Sequence, residues 1–329
     1  MIKKNKKIFC TLGPSSINPK FLKFISKKKD VSLVRLNMSH IKLNDLNKII
    51  KYVKKFTNKS ICIDTEGAQI RTNVKKSFFY KVGSIFKIHK KTGNFKIYPK
   101  YVFEKIKIAD ILDIGFDDLK AEVFKINKSI IFLKTISSGK LENNKGVNIS
   151  NRLIKLNYLT EKDFKGIEIA KKLNIKNFAL SFTNSLSDVK KFNKILPTEN
   201  KIFKIESKKA IFNFKKIILN ADNFLIDRGD LSKEVKIENV PLIQRNLFKI
   251  VSKNKNKNKK NIFVATNFLE SMIYNKYPTR GEVNDIYSTL EMGANGLVLA
   301  AETAIGNYPE NAVDILIKMI STFNSQNKI

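Results

Sequence analysis

Short apolar runs separated by amphipathic stretches set the rhythm of this chain. The runs KIFCT (7–11), SLVRL (32–36), SICID (60–64), NFALSF (177–182), KIFKI (201–205), NFLID (223–227), NIFVA (261–265) and NGLVLA (295–300) are the candidate strands. Continuous runs this short read as buried strands. Amphipathic helices fit between most of them. One is predicted over 160–173, where Thr160 followed three residues later by Asp163 has the pattern of a capping box. Another is predicted over 309–323, with Pro309 in its first turn. Eight strand–helix units point to the α/β class and to a (β/α)8 TIM barrel, and periodicity alone leaves a doubly wound open sheet as the alternative.

One interval breaks the rhythm. Between the third and fourth strands, residues 73–148 carry short alternating segments such as GSIFKIHK and SIIFLKTIS, with no long helical pattern. This texture predicts a small β domain inserted into the barrel. The expected boundaries are 1–72 and 149–329 for the catalytic barrel and 73–148 for a β-barrel-like lid.

Composition changes the picture in three places. The 329 residues are 43% hydrophobic, enough for a substantial core. No run reaches the ~18 consecutive apolar residues that span a bilayer. The basic N-terminus MIKKNKKIFCTLGPSS has no apolar core before a small-residue cleavage site, so no signal peptide and no membrane partner are expected. Cys10 and Cys62 lie in apolar runs and read as reduced thiols, consistent with a cytoplasmic location.

The formal charge of +34 invites a nucleic-acid reading, but the residue types argue against it. Only six of the 63 basic residues are arginine: 35, 71, 152, 228, 245 and 280. The lysines are spread along the whole chain with abundant asparagine and isoleucine, as drift toward A/T-rich codons produces. The run KNKNKNKK (253–260) reads as a solvated loop. No nucleic-acid partner is expected. In so lysine-rich a chain, a surviving arginine should do what lysine cannot: grip a phosphate or carboxylate with two parallel hydrogen bonds.

Barrel enzymes gather their chemistry at the carboxyl ends of the strands. At those ends stand Arg35, Asn37, Ser39 and His40 after the second strand, and Asp64, Thr65 and Arg71 after the third. Ser181 ends the fourth strand and Lys204 and Glu206 the fifth. Arg228, Gly229 and Asp230 follow the sixth, Thr266 the seventh and Glu302 the eighth. Each has a plain structural reading, as an ion pair or a cap. Together they mark one polar rim. With two histidines, His40 and His89, and no CxxC, zinc is disfavoured. Glu206 and Asp230 offer oxygen ligands on neighbouring strands, suited to Mg²⁺ or Mn²⁺. Neither glycine-rich phosphate loop, GxxxxGK[ST] or GxGxxG, is present.

The segments CTLGPSS, VRLNMSH, IDTEGAQIRT, NNKGVNIS, LTEKD, KIES, DRGDL, ATNFLESM, PTRGEVND and AAETAIGNYP occur in the order seen in the pyruvate kinase family, which this chain resembles from about residue 6 to 323. The resemblance implies a glycolytic enzyme that moves phosphate from phosphoenolpyruvate to ADP with Mg²⁺. It implies that Glu206 and Asp230 hold the Mg²⁺ and that Gly229 admits the substrate carboxylate. Arg35 and Lys204 would grip the phosphoryl group, and Thr266 would serve protonation of the enolate carbon. Asn37, Ser39, Asp64 and Thr65 match a K⁺ site. Asn37, His40, Arg71 and Lys145 match nucleotide contacts.

Departures from the pattern are Asp227 where the family has alanine, Ser232 where it has glycine, and Ile41 for the glycine after SH. Gln69 replaces the Glu or Lys that goes with potassium dependence or independence, which leaves that property open. Relatives usually continue into a further α/β domain beyond the barrel. The reading here is barrel plus lid, with a homodimer through the barrel as the expected assembly and no response to sugar-phosphate effectors. The alternatives are a catalytically weakened relative and another Mg²⁺-dependent barrel enzyme acting on phosphoenolpyruvate or a keto acid.

Overall fold

Each of the eight apolar runs forms a strand, because its alternate side chains bury on opposite faces. The structure, a computed structural model, describes residues 6–115, 119–152, 154–254 and 260–325. Residues 255–259 of the lysine–asparagine run lie outside them. The strands are β1 (Lys7–Thr11), β2 (Val31–Asn37), β3 (Ser60–Asp64), β4 (Asn177–Leu180), β5 (Asn200–Ile205), β6 (Asn223–Asp227), β7 (Asn261–Ala265) and β8 (Gly296–Leu299). They pair in parallel, each with its sequence neighbour, and β8 closes on β1. A closed ring excludes the open doubly wound sheet. The expected (β/α)8 barrel is the fold.

β4 stops short of the predicted Ser181 and Phe182. Phe182 takes a φ of +49°, a left-handed turn that ends the extended run.

The barrel lumen is filled, not open. Phe9, Leu33, Cys62, Ala179, Ile202, Leu225, Phe263, Ala265 and Val298 form one buried cluster with contributions from every strand. The Phe9 and Phe263 rings lie 4.7 Å apart at its centre. Because side chains alternate with period two, the next inward position after each plug residue forms a second layer toward the carboxyl ends. On β1 to β6 those positions are Thr11, Arg35, Asp64, Ser181, Lys204 and Asp227. The apolar plug therefore serves as the floor of a polar layer.

Helices between the strands bury their apolar faces against this ring. The predicted helices are present as Glu161–Lys172 and Pro309–Ser325. Asp163, in the first turn of the former, is buried. Its two oxygens accept the N–H groups of Glu66 at 2.7 Å and Gly67 at 3.0 Å. That fixes the turn after β3, where Gly67 has a φ of +68° and a Cβ would lie 2.4 Å from the Ser181 carbonyl oxygen.

Residues 1–67 and 161–329 form one compact unit and residues 68–160 the other. The second unit begins five residues earlier and ends twelve later than the textural change at 73–148. Strand Ile70–Val74 and the segment around Ile154 and Leu156 share its core. It holds a seven-stranded sheet and a separate two-stranded ribbon, Phe78–Tyr80 with Gly139–Leu141. A core including Phe86, Ile88, Phe95, Leu112, Val123, Ile131 and Leu133 binds the sheet together. Its one described helical turn, Lys100–Lys105, is 3-10.

Candidate active site

The polar layer above the plug is a buried charge network. Lys204 leaves β5 on its inward face, and its Nζ lies 3.0 Å from Glu206 Oε2, 3.3 Å from Asp227 Oδ2 and 3.4 Å from Asp64 Oδ2. It also donates to Ser181 Oγ at 3.1 Å. Arg35 Nη1 lies 3.3 Å from the same Asp64 Oδ2, while its Nε donates to Thr11 Oγ1 at 3.0 Å. Ser181 Oγ donates to Asp64 Oδ1 at 3.0 Å. All of these groups are at most 5% exposed.

Two atoms of this layer lack a hydrogen bond: the donor Arg35 Nη1 and the acceptor Glu206 Oε2. Both have a charged neighbour, but at angles that make no bond. Glu206 Oε1 is fixed by the Phe182 N–H at 2.6 Å, which leaves Oε2 as the available oxygen. Buried polar atoms are ordinarily hydrogen-bonded, so a cationic donor and a carboxylate oxygen that lack such bonds in one layer suit an added anion and cation.

Electrostatics follow from burial and neighbours. Burial alone would lower the Lys204 pKa, but Asp64, Glu206 and Asp227 outweigh it, and the ammonium is held charged. Arg35 is likewise raised against its burial, chiefly by Asp64. Burial pushes Glu206 well above the usual carboxylate range. Asp227 is as deeply buried, yet Lys204 and Arg35 draw it below that range.

A second group forms where β6 and β7 end. Thr266 and Asn267 both have positive φ, +72° and +58°. A β-branched residue in that region is strained, at a cost of order 1–3 kcal/mol, and persists only when surroundings over-determine it. Arg228 does so: its Nε and Nη2 grip the Thr266 carbonyl at 3.1 and 2.7 Å. Nη1 makes a forked pair with Asp285 at 2.9 and 2.7 Å, and the guanidinium stacks 4.3 Å above Phe268. The Thr266 hydroxyl accepts the Gly229 N–H at 2.7 Å and lies 3.2 Å from Asp227 Oδ1 and 2.5 Å from the Ala265 carbonyl. A Cβ on Gly229 would come within 3.3 Å of Thr266 Oγ1. Asp230 pairs with Lys233 at 3.0 Å. Ser232, on the same turn, ties its hydroxyl back to the Gly229 carbonyl. Among the described residues Glu206, Asp227 and Asp230 each offer an oxygen within 4.8 Å of the others.

The remaining rim residues divide between the two units. Asn37 and Asp64 stand side by side in register on β2 and β3, and Asn37 Oδ1 accepts the Ser39 N–H at 2.9 Å. Thr65 Oγ1 accepts the Ser181 N–H, and His40 is exposed in the turn after β2. Arg71 and Lys145 belong to the second unit, close together because Gly146 pairs with Arg71; Arg71 donates to the Asn144 carbonyl and Lys145 lies 3.3 Å from Glu142.

Some rim residues have structural duties. Glu302 accepts the N–H groups of Leu269 and Ala300, and Arg280 opens the helix Arg280–Glu291. The two-pronged use expected of arginine is met internally by Arg152 on Asp110 at 2.5 and 2.6 Å, whereas Arg228 reaches both Asp285 oxygens through Nη1 alone. Sequence reasoning passed over Thr11 and Asp285. Period two on β1, counted from Phe9, could have found Thr11; Asp285 left no local signal.

Fold and rim together define a class, a (β/α)8 barrel interrupted after its third strand by a β domain, with buried cations and carboxylates at the carboxyl ends of its strands. A family model described as pyruvate kinase, barrel domain, matches residues 3–313. The chain is 32% identical to the pyruvate kinase of Thermotoga maritima, over 96% of this chain and 70% of that protein. It is 33% identical to that of Buchnera aphidicola, over 95% and 68%, and 34% identical to that of Methanocaldococcus jannaschii, over 97% and 69%. The chain belongs to the pyruvate kinase family, a family of phosphotransferases.

Proposed function

We propose that this chain transfers the phosphoryl group of phosphoenolpyruvate to ADP, yielding pyruvate and ATP. The observation that carries the reading is one buried layer in which Lys204 and Arg35 stand among carboxylates, with Arg35 Nη1 and Glu206 Oε2 making ion pairs but no hydrogen bond. Phosphoryl transfer needs little covalent help; it needs in-line positioning and positive charge around the moving group. Lys204 and Arg35, kept charged by the carboxylates beneath them, supply that charge from a site that excludes water. The Thr266 hydroxyl, on a residue whose backbone carbonyl Arg228 holds, would pass a proton to the enolate carbon left when the phosphoryl group departs.

The carboxylates fit a divalent ion. Glu206 and Asp230 would hold Mg²⁺ or Mn²⁺, with Asp227 within reach, and Glu206 Oε2, paired with Lys204 but without a hydrogen bond, is an oxygen open to such an ion. When bound, the ion neutralises and orients substrate oxygens. Asn37, Ser39, Asp64 and Thr65 are the proposed K⁺ ligands, and the resemblance nominates Asn37, His40, Arg71 and Lys145 for the nucleotide. No helix among the described residues is long and apolar enough to cross a membrane, which accords with the cytoplasmic setting of glycolysis.

A coupled assay for pyruvate, with phosphoenolpyruvate, ADP and K⁺ and with or without Mg²⁺, tests the reading. Mg²⁺-dependent pyruvate formation that is lost in Lys204→Met is the expected result. No pyruvate from the folded wild-type chain under these conditions would overturn it and favour the weakened relative, to which the added carboxylate of Asp227 beside Lys204 would then be the clue.

A further inference from the structure

Lys162 and Asp163 are neighbours in the first turn of the helix Glu161–Lys172, and both reach out of that helix. Lys162 Nζ donates to the Met38 carbonyl at 2.5 Å and to Glu66 Oε1 at 2.8 Å. Asp163 accepts the N–H groups of Glu66 and Gly67. The same helix seats the buried Met38 side chain, since a Cβ on Gly166 would lie 2.7 Å from Met38 Cε. One helix thus ties down the loops after β2 and β3, which lie 124 and 96 residues from Lys162 in the chain.

What those loops carry gives the contact its meaning. Met38 lies between Asn37 and Ser39, and Glu66 follows directly on Asp64 and Thr65. The Met38 N–H also donates to the Asp64 carbonyl at 2.9 Å, so the two loops are joined to each other as well as to the helix. Asn37, Ser39, Asp64 and Thr65 are the residues proposed above for K⁺, and their oxygens are the donors a hard cation takes. Oxygens on two separate loops make a pocket of fixed size only if the loops hold still. A mobile loop must be ordered each time it closes on an ion, at a cost in conformational entropy that a fixed loop escapes. Resting on the function and the K⁺ site proposed above, we infer that Lys162 and Asp163 are positioning residues for that site, setting its K⁺ affinity through Met38 and Glu66 without touching the ion.

Charge alone leads to a different expectation. Lys162→Met removes a positive charge near a cation site, which by attraction and repulsion alone would tighten K⁺ binding. Asp163→Asn removes a negative charge and by the same reasoning would weaken it. Positioning weakens binding in both. The test titrates K⁺ into the full chain with phosphoenolpyruvate and Mg²⁺ but no ADP, and reads K⁺ affinity from the rise of the unfolding midpoint. K⁺ activation of pyruvate formation is measured alongside. The proteins are the wild type, Lys162→Met, Lys162→Arg, Asp163→Asn and the double variant Lys162→Met/Glu66→Gln. The double variant leaves no buried carboxylate without its partner, so it reports if Lys162→Met fails to fold.

The expected result is K⁺ affinity weakened about 10–100-fold in Lys162→Met, the double variant and Asp163→Asn, the range lost when groups that support metal ligands are removed. Lys162→Arg should stay close to wild type, because it keeps cationic donors for the Met38 carbonyl and Glu66. Tighter K⁺ binding in Lys162→Met, or unchanged affinity in the folded variants, would overturn the inference. A wild type that forms pyruvate and is indifferent to K⁺ would do the same. In each of these cases the phosphoryl-transfer reading stands. A folded wild type that forms no pyruvate with K⁺ and Mg²⁺ present would instead refute that reading, and the inference with it.

Discussion

Replacing Lys204 by methionine removes an ammonium that lies within 3.4 Å of three carboxylates. From sequence alone such a change would be expected to stop chemistry and spare the fold. The structure alters that expectation, because Asp64, Glu206 and Asp227 would be left facing one another in a layer no more than 5% exposed. A single ion pair at this range is nominally worth about 5 kcal/mol at an effective dielectric near 20. Removing one partner of a buried pair costs about 3–5 kcal/mol in practice, because a carboxyl can take up a proton instead. We expect that destabilisation near pH 8, equivalent to a fall in Tm of roughly 6–20 °C for a unit of this size.

The proton uptake gives the effect a sign. Without Lys204 the Glu206 carboxyl, which burial already raises, keeps its proton in the folded state to higher pH than in the unfolded chain, where it titrates near 4. Groups with raised folded-state pKa values favour folding most below the unfolded pKa, and that contribution is lost as pH rises. The deficit of Lys204→Met relative to wild type should therefore be small near pH 5 and large near pH 8. Urea unfolding followed by circular dichroism at both pH values measures it. Equal stability of the two proteins at pH 8, or a deficit that shrinks as pH rises, would refute the network. Turnover is a separate reading, expected to fall ~10²–10³-fold or more.

Asp227→Ala should lower the apparent KM for phosphoenolpyruvate at saturating Mg²⁺, because a negative charge is removed beside Lys204, and steady-state curves would reveal an unchanged value. Arg228→Lys has one nitrogen in place of the three that hold Asp285 and the Thr266 carbonyl together, so kcat should drop about tenfold or more as Thr266 relaxes from its left-handed conformation. Glu282 accepts the N–H and hydroxyl of both Ser271 and Thr279, which hold its carboxyl below the usual range despite partial burial. Glu282→Gln should cost about 1–2 kcal/mol at pH 7 and progressively less as pH falls through the carboxylate range, measured by urea unfolding. Cys10 and Cys62 are buried, burial pushing Cys10 up to about 12 and Cys62 higher than its ordinary value. Neither should react with iodoacetamide at pH 8 in the folded protein and both should react in denaturant, as read by mass spectrometry.

The sequence by itself determined what depends on local order along the chain. Eight apolar runs of strand length, most of them followed by a helical pattern, specify the β/α repeat because burial on both faces demands continuous apolar segments. Period two then decides that Lys204 shares a face with Ile202, and Asp227 with Leu225. It also places polar residues at one end of each strand, so the candidate rim was legible before any coordinates.

What only the tertiary structure decided is which of those residues meet. Lys204 reaches carboxylates from β3 and β6, Arg228 finds its acid 57 residues further on, and Asp163 caps a turn nearly a hundred residues earlier. Such partners are chosen by the closure and stagger of the ring, which bring strand ends together whatever their separation in sequence. The left-handed Thr266 belongs to the same category. Nothing local favours that conformation in a β-branched residue; it exists because an arginine from the neighbouring strand end holds its carbonyl in place.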